Sequence, residues 1–183
     1  MMPQKKIYKY ASFFIMTGLV IAGLKVLNWV PLVAEKGLMR EYGDMREVEK
    51  KLSFGRIYTP HYFPQTFRWP PSKIFAQEKP FKAMIMEFRD VENGGTALII
   101  TQSASPEFAP KVDIKVAEIK EKALCNIKGK KAFLEAGSCQ SPPSGPYDIQ
   151  CGQISWKDGG YHLRVVARTS PLELIKIAEG MAD

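Results

Sequence analysis

The chain has 183 residues, of which 45% are hydrophobic and 25% charged, and a formal net charge of +7. Four of its 26 Lys and Arg residues (Lys5, Lys6, Lys9 and Lys25) belong to an apolar N-terminal region, which leaves 22 basic against 19 acidic residues in the rest. That is an ordinary soluble surface, without the broad basic footprint of a nucleic-acid binder, and the length beyond the apolar region, about 150 residues, suits one domain rather than two.

Residues 10–29, YASFFIMTGLVIAGLKVLNW, form an apolar run of 20 residues. A helix of that length spans roughly 30 Å, the hydrocarbon thickness of a bilayer, so the sequence predicts one transmembrane helix within residues 10–33. Tyr8 and Tyr10 at one end and Trp29 at the other fit interfacial belts, and Lys25 is near enough to Trp29 to snorkel to the headgroups. Lys5, Lys6 and Lys9 precede the run and mixed charges follow it. The positive-inside bias therefore places residues 1–9 in the cytoplasm as a short arm and the remainder outside. The expected location is the inner (cytoplasmic) membrane, single-pass, with a periplasmic or otherwise extracytoplasmic C-terminal domain. A basic start before an apolar stretch also describes a cleaved secretory signal. Cleavage after Ala34 or Gly23, however, would put Leu32 or Ile21 at the minus-three position, where a small residue is needed. The signal-anchor reading follows, with the cleaved signal as its rival.

In residues 34–55, Leu38, Tyr42, Met45, Val48 and Leu52 recur at steps of four, three, three and four, the stripe of an amphipathic helix. Such a helix would dock on the domain or continue the membrane helix as a stalk. In residues 56–74, Pro60, Pro64, Pro70 and Pro71 forbid a helix and discourage a central strand, which predicts an extended lead-in. It is crowded with aromatic side chains. On a chain already stiffened by proline these make Tyr62, Phe63, Phe67 and Trp69 a candidate partner-binding ledge; the alternative is that the same rings cover one edge of the sheet as core.

From Lys79 onward the texture is that of strands. FKAMIMEFRD and TALIITQSA flank Asn93, Gly94 and Gly95 as an antiparallel hairpin. After a polar loop at 105–110, Val112, Ile114 and Val116 alternate as in a half-buried strand. Further strands are predicted at 123–127, 131–135, 151–157 and 161–168, the last two joined by Asp158, Gly159 and Gly160. Ser170, Pro171 and Glu173 then open a helix with a capping box and a pre-set first turn, and Leu174, Ile177, Ala178 and Met181 give it one apolar face. The expected fold of residues 56–183 is therefore α+β: a mostly antiparallel, curved sheet of about seven strands with the C-terminal helix packed on it.

Of the three cysteines, Cys139 and Cys151 bracket a segment rich in Pro, Gly and Ser between two strand-like runs, which predicts a disulfide between them, as an extracytoplasmic setting permits. Cys125, in the apolar run ALCNI, is expected as a buried free thiol. Zinc held by Cys139, Cys151 and His162 would lack the close ligand spacings of such sites, and no metal is expected. Lys120, Lys122, Lys128, Lys130 and Lys131 cluster in sequence, which without a reading motif describes a solvated strand face.

The succession TPHYFPQTFRW, LIITQ, IKGKKAFLE, ISWKDGGYHLRVVA and SPLELIKIAEGM resembles the DUF4367 domain and, more distantly, the LolA and RseB type of periplasmic half-barrel, over about residues 46 to 181. The resemblance implies an extracytoplasmic, non-catalytic domain, attached in some relatives to anti-sigma or envelope-sensing proteins and in remoter ones built to hold acyl chains. Residues 1–9 are too few for a folded sigma-binding module, which argues against direct anti-sigma action.

The chain has two histidines, His61 and His162, neither in a catalytic or metal motif, and no Walker A loop, HExxH, GxSxG or CxxCH. No enzyme activity and no cofactor are expected. The combination of an anchor, a compact stapled domain and no recognisable chemistry points to a membrane protein whose outer domain binds another protein as sensor, scaffold or accessory subunit. The alternative is a carrier that encloses a lipid or other hydrophobic ligand between sheet and helix, which needs an apolar cavity of several hundred cubic ångströms or more.

Overall fold

A computed structural model of the chain describes residues 15–20, 23, 39–110, 112–139 and 150–182. Residues 15–20 and 23 are helical, with Ile15, Met16, Leu19 and Val20 exposed. The rest of the predicted membrane span lies outside the described residues, among which no helix is long and apolar enough to cross a membrane. Met39–Asp183 is a compact unit of its own.

That unit is α+β. Eight strands form one open antiparallel sheet: β1 (Arg40–Tyr42), β2 (Lys73–Gln77), β3 (Ala83–Arg89), β4 (Thr96–Ser103), β5 (Val116–Ile127), β6 (Lys130–Cys139), β7 (Gln150–Asp158) and β8 (Tyr161–Ala167). Their order across the sheet is β1-β2-β3-β4-β8-β7-β6-β5. Two helices, α1 (Met45–Lys51) and α2 (Pro171–Met181), complete it. The β7–β8 turn forms where the sequence has Gly159 and Gly160, at φ of 53° and 85°; two successive positive φ values make the tight turn that matches strand twist and favours glycine.

The segment 34–55 departs from the expected helix. Residues 34–38 lie outside the described ones, Arg40–Tyr42 pairs with β2 as an edge strand, and only Met45–Lys51 is helical. Gly43 and Asp44 are the cause. Asp44, in extended backbone, caps α1 by accepting from Glu47 N at 2.7 Å, and Glu47 reaches back to accept from Gly43 N at 3.0 Å, an N-terminal cap that starts a new helix and cannot sit inside one. The proline-rich lead-in likewise ends earlier than expected, at β2. A third difference is that residues 112–115 are not a strand, and β5 begins at Val116.

Pairing fixes which side chains share a face. Met86, Ile100, Val165, Ile154 and Leu134 are successive partners across β3, β4, β8, β7 and β6, and all are buried in one cluster with the apolar side of α2 and with Tyr58 and Phe67 of the lead-in. Leu174, Ile177, Ala178 and Met181, the predicted apolar face of α2, are at most 2% exposed. Each large side chain buried in this way contributes about 1.5–3 kcal/mol. On the opposite face Ile85, Ile99 and Val166 form a second, smaller cluster with Phe108 and Ile114. These two residues come from the β4–β5 connection, which must travel from the middle of the sheet to its far edge because β8, β7 and β6 lie between. It crosses on the face that α2 leaves open.

The edge strand β5 is irregular, with register shifts between Val116 and Glu118 and between Ile119 and Glu121. The first bulge lays backbone over Gly137, where an added Cβ would lie 1.7 Å from the Glu118 carbonyl oxygen. Gly137→Ala must therefore push the two strands apart. A loss of about 1–3 kcal/mol is expected, read as a lower urea midpoint at unchanged slope.

Candidate functional site

The helix-free face carries two rows of side chains set by register. Thr101, Arg164, Ser155, Phe133 and Leu124 are successive partners from β4 through β8, β7 and β6 to β5, so they stand side by side about 4.8 Å apart. The adjacent row is Ser103, His162 and Lys157. Lys131, two residues before Phe133 on β6, continues it on the same face. The β4–β5 connection walls these rows and leaves two adjoining hollows. One, of about 380 Å³, is lined by Ser105, Phe108, Lys131, Phe133, Lys157 and His162 among others. The second, of about 320 Å³, is lined by Pro110, Val112, Ile114, Lys115 and Gln153 among others. Thr101 and Arg164 line both, so Arg164 sits where the hollows meet.

The groove is cationic. Lys115, Lys131, Lys157 and Arg164 line it, and no Asp or Glu is among the described residues lining either hollow. The nearest row does hold Glu135, but its carboxylate is engaged by Lys122 at 3.0 Å and by the Gln153 amide at 2.5 Å. The Lys122 hydrogen bond is the main influence holding this carboxyl below its ordinary value, partly opposed by burial. Beside the cations lie two large apolar side chains, Phe133 at 61% and Leu124 at 72% exposure. Among the described residues no group of three His, Cys, Asp or Glu side chains is placed to hold a metal ion.

The lysine cluster of the sequence does not gather in this groove. Lys122 pairs with Glu135, Lys130 with Asp158 at 2.5 Å, and Lys128 donates to the Ala182 carbonyl at 2.8 Å; of the residues 128–131 only Lys131 faces it. Neighbours along a strand point to opposite faces, so adjacency in sequence disperses in space.

The aromatic lead-in occupies the other face. Gln102, fully buried, accepts from Tyr58 N at 3.1 Å and donates to the Arg56 carbonyl at 2.6 Å, hanging the segment on the sheet. His61 N donates to the Gly180 carbonyl at 3.0 Å. Tyr62 O–H donates to Glu173 at 2.6 Å, a bond that holds the Glu173 carboxyl below its ordinary value, with help from Lys176. Phe63 packs its ring edge-on against Phe67 at 5.9 Å and Trp69 at 5.6 Å, and both Phe63 and Trp69 lie on Phe88 at 5.1 and 5.8 Å. Of the four residues proposed as a ledge, Phe67 is buried at 5% exposure, Phe63 is half-buried, and only Tyr62 and Trp69 are exposed, at 39% and 52%. The structure thus gathers Phe67 and Trp69 around Phe63 and sets Phe63 and Trp69 on Phe88. Phe67→Ala is expected to lower the melting temperature by several degrees and Trp69→Ala by clearly less, as thermal unfolding followed by near-ultraviolet circular dichroism will register.

The sulfurs of Cys139 and Cys151 are at bonding distance, 2.00 Å, with Cα atoms 5.2 Å apart; the intervening residues 140–149 lie outside the described ones. Cys125 is free and half-buried rather than fully buried, and burial pushes its thiol up, with Glu179 adding to the effect.

Fold and site together define an antiparallel α+β domain with one sheet face covered by α2 and the aromatic lead-in and the other open as a cationic groove. Comparison of the chain with protein-family models, curated proteins and solved structures finds no match.

Proposed function

We propose that the chain is a non-catalytic membrane protein, anchored by residues 10–33, whose extracytoplasmic domain binds another protein on its helix-free face as sensor, scaffold or accessory subunit of a membrane complex. The observation that carries this reading is the contrast between the two faces. Between sheet and α2 the space is filled by Leu134, Ile154, Trp156, Leu163, Val165 and the apolar side of α2, all at most 6% exposed, where a lipid carrier needs room. The other face keeps an open groove beside exposed Phe133 and Leu124, and large exposed apolar side chains rimmed by polar ones are typical of interaction surfaces. The anchor, its orientation, the curvature of the sheet and the likeness to the DUF4367 domain are parts of the same proposal, supported by the apolar run and the motif succession.

Purification of the full chain from its native membrane in mild detergent is the test. A protein partner is expected at near-stoichiometric yield with the unaltered chain. It should be lost with Phe133→Asp while the melting temperature stays unchanged, because this side chain is exposed. One lipid per chain in organic extracts, with no protein partner, would establish the carrier instead.

A further inference from the structure

We propose that the groove on the helix-free face recognises an extended acidic segment of a polypeptide, one that places an apolar side chain four residues beyond a carboxylate. The inference rests on the protein-binding reading above and names the chemistry of the partner.

Charge is the first argument. Lys131 and Lys157 stand opposite one another on adjacent strands of this face, flanking the Ala132–Trp156 pair. Like charges set opposite one another destabilise a sheet, and the described residues place no carboxylate oxygen within 4.0 Å of Lys131, Lys157 or Arg164. An arrangement that costs stability in the free domain becomes favourable once carboxylates enter. Arg164 is half-buried where the two hollows meet, and its planar fork of donors suits bidentate recognition of a carboxylate. The hydroxyls of Thr101, Ser103 and Ser155 line the same floor.

Spacing is the second. Arg164, Ser155, Phe133 and Leu124 lie on four successive strands, so Arg164 and Leu124 are about 14 Å apart at three strand spacings. An extended chain covers that distance in about four residues, and side chains at i and i+4 of such a chain point the same way. A carboxylate on Arg164 thus places an apolar side chain over Leu124, with the intervening chain crossing Phe133. A free inorganic anion would leave both apolar side chains bare. A flat anionic membrane surface meets the opposite difficulty, because Arg164 is recessed beside the β4–β5 connection. Addition of a strand to the edge is disfavoured by the two bulges in β5 and by its charges at Glu118, Lys120, Glu121 and Lys122.

The test uses the full chain in mild detergent and two fluorescein-labelled peptides, SEESTLVS and its neutral counterpart SQQSTLVS, with binding read by anisotropy. The acidic peptide should bind at least tenfold tighter than the neutral one, and raising salt from about 50 to 300 mM should weaken it severalfold. Arg164→Gln should cost at least fivefold in affinity, and Lys157→Gln, at an exposed position, should weaken binding in the same direction with an unchanged melting temperature. Equal binding of the two peptides, no binding of either, or indifference to both substitutions would overturn the inference. So would capture of the chain by phosphatidylglycerol vesicles that depends on Lys157 and Arg164 while the acidic peptide stays unbound. A native partner that still co-purifies with the Arg164→Gln chain refutes the acidic segment alone; absence of any protein partner refutes the protein-binding reading itself.

Discussion

Replacement of Phe88 by Ala is expected to cost about 3–5 kcal/mol, the range for removing a fully buried aromatic side chain. Phe88 is 0% exposed, and the rings of Phe63 and Trp69 rest on it at 5.1 and 5.8 Å, so its loss leaves a cavity and also withdraws the platform on which the lead-in is folded. For a domain of this size a drop in melting temperature on the order of 10 °C follows. Thermal unfolding of the full chain in detergent will measure it. A change of only one or two degrees would mean that the lead-in does not pack on the sheet.

The second large effect is expected from the disulfide. Opening the Cys139–Cys151 link frees a loop closed over a sequence separation of 12, worth about 3 kcal/mol by the chain-entropy estimate. Cys139→Ser and Cys151→Ser should destabilise alike, and the double variant no more than either single one. Unreduced protein taken from its native compartment should show one titratable thiol after unfolding, that of Cys125. In the folded chain the same thiol should alkylate slowly at neutral pH, since burial raises its pKa and keeps the thiolate scarce. Three reactive thiols in unreduced protein would contradict the link.

Those parts of the fold that depend on local rules were legible in the chain. Helix α2 was announced by a cap at Ser170, which accepts from Glu173 N at 3.3 Å, and by apolar residues at helical spacing. The β7–β8 turn was announced by two glycines, and the β3–β4 hairpin by Asn93 and Gly94, whose backbone is held by Asp90. Where local rules compete, reading failed. The apolar stripe of residues 34–55 has helical spacing, but Gly43 and Asp44 divide it, and pairing with β2 claims Arg40–Tyr42 as a strand.

The candidate site was the least legible part, because it depends on which distant strands become neighbours. Ser155 and Lys157 share a face by alternation, as do His162 and Arg164, and as do Lys131 and Phe133. That these three pairs, together with Thr101, line one groove follows only from the order β4-β8-β7-β6. The aromatic lead-in, by contrast, attracted notice by composition alone. Of its rings, Phe63 and Trp69 rest on Phe88, and Tyr58 packs against Tyr161.

The measurement that bears most directly on the central claim, that the helix-free face is where a protein partner docks, is site-specific photo-cross-linking in the native membrane. Benzoylphenylalanine is placed at Phe133 in one preparation and at Leu172 in another; Leu172, 72% exposed on α2, reports on the opposite face. The account predicts one protein adduct from position 133 and none from position 172. An adduct from position 172 with none from 133, or adducts from 133 that contain only lipid, would contradict it.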